Sequence, residues 1–302
     1  MSTFSITPSG PFSLAAARDF AGGFSAGIGA RQTGSGILMV FPVEGWRDSA
    51  AVDVSQDTDG RLDGTVWGST DVETVRRQAA RSLSLDHDAS GWVDVGRSDP
   101  VIGRLQDRYP GFRPVCFYSA YEAATSFVIG QRIAMRQAKV IKERLATIWG
   151  DPIEIEGGVV RPFPRPQRLL EVDAVAGLSQ VKVDRLHALA KAAMDGRLDA
   201  ERLRALPQPD ALAELETLPG VGPWTAQAVL LRGCGLADGV PLADDISRTA
   251  VAWFYDLPEP PDDATWARIS DAWRPYRMWA SVLLHMAWRR EQPSAQSYRQ
   301  GA

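Results

Sequence analysis

Cysteine and histidine are scarce in this 302-residue chain, with two of the first, Cys116 and Cys234, and three of the second, His87, His187 and His285. Two thiols cannot build a disulfide framework, nor supply the four ligands of an iron–sulfur cluster. The histidines stand far apart and give no zinc spacing, so no tightly bound redox or catalytic metal is expected. No apolar run approaches the roughly 18 residues of a membrane span, and the N-terminus lacks a basic segment followed by an apolar one. The expectation is a cytoplasmic protein without a membrane partner. An excess of positive charge is missing too. The formal net charge is −4, which alone speaks against a nucleic-acid partner, because neutralising phosphates leaves a basic footprint.

What is present is ordinary globular composition, 45% hydrophobic and 23% charged, enough for one large or two to three modest domains. Positive charge is also gathered locally. Between 132 and 144, Arg132, Arg136, Lys139, Lys142 and Arg144 stand against Glu143 alone; between 268 and 290, Arg268, Arg274, Arg277, Arg289 and Arg290 stand against Asp271. Two solvated helix faces would look the same.

Residues 1 to about 115 carry short extended runs punctuated by Gly, Asp and Pro: Gly36–Phe41, Ala51–Ser55 and Arg61–Trp67. They predict an antiparallel sheet, with helices over Leu14–Phe20 and Val72–Leu83. A Pro/Gly connector at Tyr109–Pro114 follows, and from Ser119 the pattern is helical almost throughout, broken at Gly157–Pro166. The fold class expected is therefore α+β: an N-terminal antiparallel sheet domain at 1–115, an all-α unit of two lobes at 116–293, and a frayed tail at 294–302.

The most informative stretch is Leu218-Pro-Gly-Val-Gly-Pro-Trp-Thr-Ala226, with helical patterns on both sides. Gly220 and Gly222 allow a sharp turn, and the amides of the turn then meet the positive end of the next helix. That makes a seat for one phosphate of a nucleic-acid strand, read without sequence preference. A helix–helix turn with a glycine C-cap is the plainer alternative. Downstream, Pro241-Leu-Ala-Asp-Asp-Ile-Ser-Arg248 opens another helix with two adjacent acids. A carboxylate there would stabilise an oxocarbenium-like sugar and orient water; capping the helix is the competing use.

Hairpin, Pro-containing loop and aspartate together resemble the helix-hairpin-helix (Gly/Pro…Asp) DNA glycosylase superfamily, in its bacterial 3-methyladenine DNA glycosylase II type. Three further segments carry the likeness, which runs from about 82 to 290. Tyr121-Glu-Ala-Ala-Thr-Ser-Phe-Val-Ile-Gly-Gln-Arg-Ile133 is similar to the family's first catalytic-domain helix. Gly177-Leu-Ser-Gln-Val-Lys182 is similar to a turn of that family, and Trp273-Arg-Pro-Tyr-Arg277 to the opening of its last helix.

The resemblance implies an N-terminal sheet like one half of a TATA-binding protein. It also implies a nucleoid-associated monomer that flips damaged bases from double-stranded DNA and hydrolyses the N-glycosidic bond of alkylated bases of the 3-methyladenine type. Of the acid pair it points to the second, Asp245, as catalytic, with Asp244 starting the helix. Bifunctional relatives place a lysine where this chain has Trp224, so water rather than an amine is expected to attack. DNA contacts are expected from Gly220, Val221, Gly222 and Thr225 of the hairpin, and from Gln131 and Arg132, which match the wedge position, with Arg136 beyond. The base pocket falls to Trp224, to Ala228, where the type member has an aromatic residue, and to His285, at the place of the family's second pocket aromatic. The resemblance further implies a sodium- or potassium-like ion on the backbone carbonyls of Glu216, Leu218 and Val221, and no other cofactor. Two alternatives stay open at this point: an oxidised-purine glycosylase/lyase, and a non-catalytic module that binds damaged DNA.

Overall fold

The segment Gly36–Pro42 is apolar without interruption and buried along its whole length, and the architecture gives the reason. In the structure, a computed structural model that describes residues 1–23, 31–33 and 36–291, it is strand β3 of a five-stranded antiparallel sheet. The other strands are β1 (Ser2–Ile6), β2 (Arg31–Thr33), β4 (Ser49–Gln56) and β5 (Leu62–Trp67), in the order β1-β5-β4-β3-β2. Ile37, Met39 and Phe41 point to a core closed by helices α1 (Leu14–Gly23) and α2 (Val72–Ser82). Leu38 and Val40, with Ala51, point the other way and meet Ile153 and Val160. A strand covered on both faces loses the alternation of a half-exposed one.

The covering piece departs from the expected all-helical second half. Ile153 and Val160 belong to a small hairpin, β6 (Ile153–Ile155) and β7 (Gly158–Val160), packed on the outer face of the sheet. Three residues per strand are too few to show a period, which is why 153–160 reads only as a break in helical sequence. β1 and β2 also lie outside the strands read from the sequence. The helices foreseen from Leu14 and Val72 are present as α1 and α2, and Asp71 caps α2 by accepting from the Thr74 amide. The expected tail at 294–302 lies outside the described residues.

Two helical clusters follow. One core joins α5 (Ala120–Gly130), α6 (Met135–Trp149), α7 (Pro166–Leu169), α8 (Gln180–Met194), α9 (Ala200–Ala205), α10 (Gln208–Glu216) and α11 (Pro223–Ala228). The second joins α3 (Trp92–Ser98) and α4 (Pro100–Arg108) to α12 (Asp245–Phe254), α13 (Asp263–Asp271) and α14 (Arg277–Glu291), around Trp92, Trp266, Trp273 and Trp279. Thus α3 and α4 precede residue 115 yet pack with the last helices of the chain. Between α11 and the loop to α12 runs a π-helical turn, Val229–Gly233.

Helix starts are set by side chains. Ser119 accepts from the Glu122 amide, while the Glu122 carboxylate accepts from the Tyr118 amide, so the entry to α5 is tied twice. Pro100 occupies the first turn of α4 behind the Asp99 cap.

Candidate active site beside the glycine hairpin

The hairpin joins α10 to α11. Leu218 and Val221 are buried in the first helical core, and the Val221 amide donates to the Leu218 carbonyl at 3.0 Å. These two residues anchor the turn, so Val221 can offer a ligand only its main chain. Gly220 has φ of +86°, in the left-handed region, and a Cβ there would stand 2.7 Å from Arg185 Cδ. The backbone conformation favours glycine, and a methyl group would also push the Arg185 side chain aside. Gly222 differs: its φ is −99°, an added Cβ would meet nothing within 4 Å, and it is exposed. The amides of Trp224 and Thr225 precede the first intrahelical bond, from Ala226 N–H to the Gly222 carbonyl. The Thr225 side chain is buried, which leaves its amide alone for a ligand.

Gln131, expected with Arg132 at the wedge position, is tied to the hairpin. Its side-chain amide donates to the Gly220 carbonyl at 2.7 Å and its oxygen accepts from Arg185 at 3.1 Å. It staples the end of α5 to the hairpin. Lys182 donates to the carbonyls of Ile129 and Gln131, at 2.8 and 2.6 Å, closing the same helix end. Arg132 is left at the tip of the α5–α6 turn, exposed and with φ of +55°. That conformation is uncommon for a residue with a side chain. Arg136 is exposed on the first turn of α6 and lies outside the cavity lining, whereas Lys139, one turn on, belongs to it.

A cavity of about 970 Å³ opens next to the hairpin, with walls from both helical clusters. Trp224, Ala228 and His285, expected apart in sequence and together in space, all line it. Trp224 is 44% exposed and stands edge-on to Phe127, centroids 5.1 Å apart. Lys142 also lines the cavity, buried and 4.0 Å from Glu122. Burial pushes the Lys142 ammonium down and the Glu122 carboxyl up, each opposed by the other's charge.

The acid pair needs a correction. Asp245 begins α12, is exposed, and takes no part in the lining. Asp244, the N-cap, faces the cavity instead. Its Oδ2 accepts from Ser247 twice, from the hydroxyl at 2.5 Å and the amide at 3.2 Å. Its Oδ1 lies 3.5 Å from the Trp224 indole nitrogen. Burial pushes this carboxyl up, but His285, Ser247 and Trp224 together outweigh burial and hold it at about 2. His285 Nδ1 is 3.7 Å from Asp244 Oδ2 and 3.5 Å from Ser247 Oγ, and Arg289 Nε donates to His285 Nε2 at 2.7 Å. Burial, ahead of the opposing pull of Asp244, lowers the imidazole.

Ser247, Phe127 and Arg289 escaped the sequence reading as site residues, Arg289 having been read only as part of a basic cluster. The Asp244–Ser247 spacing, a cap residue with a hydroxyl three positions on, is the one signal that could have marked Asp244 as the acid held at the helix start. Nothing in the sequence marks Arg289 as the partner of His285 beyond their separation by one helical turn.

No family model matches the chain. Among curated proteins it is 30% identical over 222 residues to a probable bifunctional transcriptional activator/DNA repair enzyme AlkA of Mycobacterium tuberculosis, covering 71% of this chain and 42% of that one. It is 31% identical over 193 residues to DNA-3-methyladenine glycosylase 2 of Escherichia coli, covering 62% and 63%. The chain thus spans less than half the length of the first relative. Among solved structures, a 3-methyladenine DNA-glycosylase from Archaeoglobus fulgidus superposes with a TM-score of 0.75 over 95% of this chain and 97% of that one. At 20% identity that likeness speaks for the fold alone. Hairpin, acid-bearing helix start and these relatives agree: the chain is similar in sequence to proteins named as DNA-3-methyladenine glycosylases, and it shares the fold of one of them.

Proposed function

We propose that this chain is a monofunctional base-excision glycosylase that binds double-stranded DNA as a monomer, flips out an alkylated base of the 3-methyladenine type and hydrolyses its N-glycosidic bond. The observation that carries the reading is Asp244, a carboxylate held ionised on the wall of the cavity beside an exposed tryptophan and the glycine hairpin. Related proteins named as DNA-3-methyladenine glycosylases support it.

Glycosidic cleavage breaks the C1′–N bond with the electron pair leaving on the base, so a cationic alkylated base departs neutral. The sugar passes through an oxocarbenium-like state that an adjacent carboxylate stabilises. Asp244 Oδ1, free of the Ser247 contacts, is the oxygen for that task. Water then adds to C1′ and releases a proton, leaving an abasic site. Trp224 offers its ring face to the flipped base and gains further from a cationic one. Arg132 fills the vacated stack; its planar guanidinium suits the orphaned partner base. The amides of Gly222, Trp224 and Thr225 hold one phosphate, and Arg136 and Lys139 follow the same strand. An amine mechanism is disfavoured, because Trp224 stands where lyases carry lysine and Lys182 is occupied by two carbonyls.

Within this reading the sheet domain, inside 1–115, resembles half of a TATA-binding protein, while α3 and α4 join the helical catalytic unit of 116–293; the protein would act at the nucleoid. The carbonyls of Glu216, Leu218 and Val221 are neutral oxygen donors on one turn, a set that fits a sodium- or potassium-like ion. Such an ion would stiffen the turn and add positive charge near the phosphate. The test is incubation with alkylated duplex DNA, followed by identification of released bases and inspection of the strand before alkali. Free modified base with an intact strand is expected; no released base, or nicks without alkali, would overturn the reading.

A further inference from the structure

The polar contacts behind Asp244 have a direction. An arginine always donates, so Arg289 Nε–H, at 2.7 Å from His285 Nε2, meets a lone pair there. The imidazole is then neutral, with its proton on Nδ1. That proton faces Ser247 Oγ at 3.5 Å. The Ser247 hydroxyl in turn donates to Asp244 Oδ2 at 2.5 Å. Every donor points the same way, from Arg289 through His285 and Ser247 to the carboxylate. The chain ties α14 to the start of α12 across the cavity wall, and it occupies Oδ2 while leaving Oδ1 toward Trp224.

We propose that His285 is a positioning residue that acts through Ser247 and Asp244, rather than a stacking wall for the base. This rests on the glycosylase reading above. Held by Arg289 in one tautomer, the ring fixes which carboxylate oxygen faces the sugar, and its neutrality leaves the negative charge of Asp244 undiminished. Protonation would put a hydrogen on Nε2 against Arg289 and set a cation beside the carboxylate. The charged groups facing the ring are Asp244 from α12, Arg289 from its own helix, and Arg232 from the π turn. Activity should therefore fall on the acid side, below the ordinary imidazole range.

Two substitutions separate the roles. His285→Asn keeps an N–H donor near the Nδ1 position and cannot titrate; His285→Phe keeps a ring and loses the donor. Expected are near-wild-type kcat for Asn at neutral pH with the acid limb gone, and for Phe a fall in kcat of about tenfold with KM for damaged duplex little changed. The reverse order, Phe as active as wild type and Asn impaired, would overturn the proposal. The nitrogen-15 shifts of the His285 ring provide a readout without activity. A neutral Nδ1–H ring at pH 7.5 is expected, and an Nε2–H or charged ring contradicts the chain of donors. If the wild type releases no base while the ring shows the expected tautomer, the glycosylase reading fails and the donor chain stands.

Discussion

The two oxygens of Asp244 have different neighbours, and the difference defines the site. Oδ2 is bound to the start of its own helix through Ser247; Oδ1 looks into the cavity toward Trp224. Because the folded state holds this carboxyl at about 2, below its ordinary 3.8, unfolding raises its affinity for a proton. The stability it contributes is complete above pH 4 and is lost as the pH falls toward 2. Asp244→Asn should flatten the stability curve over that interval by about 2 kcal/mol; an unchanged acid limb in urea titrations would show that the carboxyl is not held this way. The acid pair itself was legible in the sequence; which member faces the cavity was not. Adjacent residues at a helix start project about 100° apart, so the answer turns on whether the helix begins at 244 or 245. Sequence patterns place boundaries no better than a residue or two.

At the scale of elements, the hairpin divides its two glycines between conformation and access. Gly220 is favoured as glycine by its left-handed backbone and by the side chain of Arg185 behind it. Gly222 has neither reason and is open on the exposed side. Gly220→Ala should therefore lower the stability by about 1 kcal/mol or more. Gly222→Ala should leave the melting temperature unchanged and weaken duplex binding, by setting a methyl group against the phosphate. A loss of stability at Gly222 equal to that at Gly220 would contradict the assignment. The sequence motif marked both glycines alike, since it records residue types and not φ. Gln131 shows the same limit: its position at the end of α5 was visible, but its bond to the Gly220 carbonyl depends on two helices meeting. The β6–β7 hairpin was illegible for a related reason, because only its contact with the sheet face explains why Ile153 and Val160 are apolar.

Over the whole molecule, a net charge of −4 has to be reconciled with the polyanionic partner proposed above. Arg132, Lys139, Arg289 and Arg290 all border the cavity, so part of each basic cluster of the sequence meets at one place although the two lie far apart in the chain. Duplex binding should fall linearly with the logarithm of salt concentration; a flat response would mean that phosphates contribute little. Trp224 fills the hairpin position where an amine would attack, and Lys182 is held by two carbonyls. Borohydride treatment during turnover should therefore trap no covalent protein–DNA product, whereas trapping through Lys139 or Lys142 of the cavity rim would contradict the reading. The fold class was readable from strand-like and helical periodicity, whereas the packing of α3 and α4 with the last three helices was not, because contacts between distant segments leave no local pattern.

The most direct measurement of the central claim compares Asp244→Asn and Asp245→Asn side by side for release of methylated base from duplex DNA, with binding of the damaged duplex followed in parallel. Asp244→Asn is expected to lose release almost entirely while still binding, and Asp245→Asn to retain activity close to that of the unsubstituted protein. Full release by the first variant, or loss confined to the second, would contradict the account.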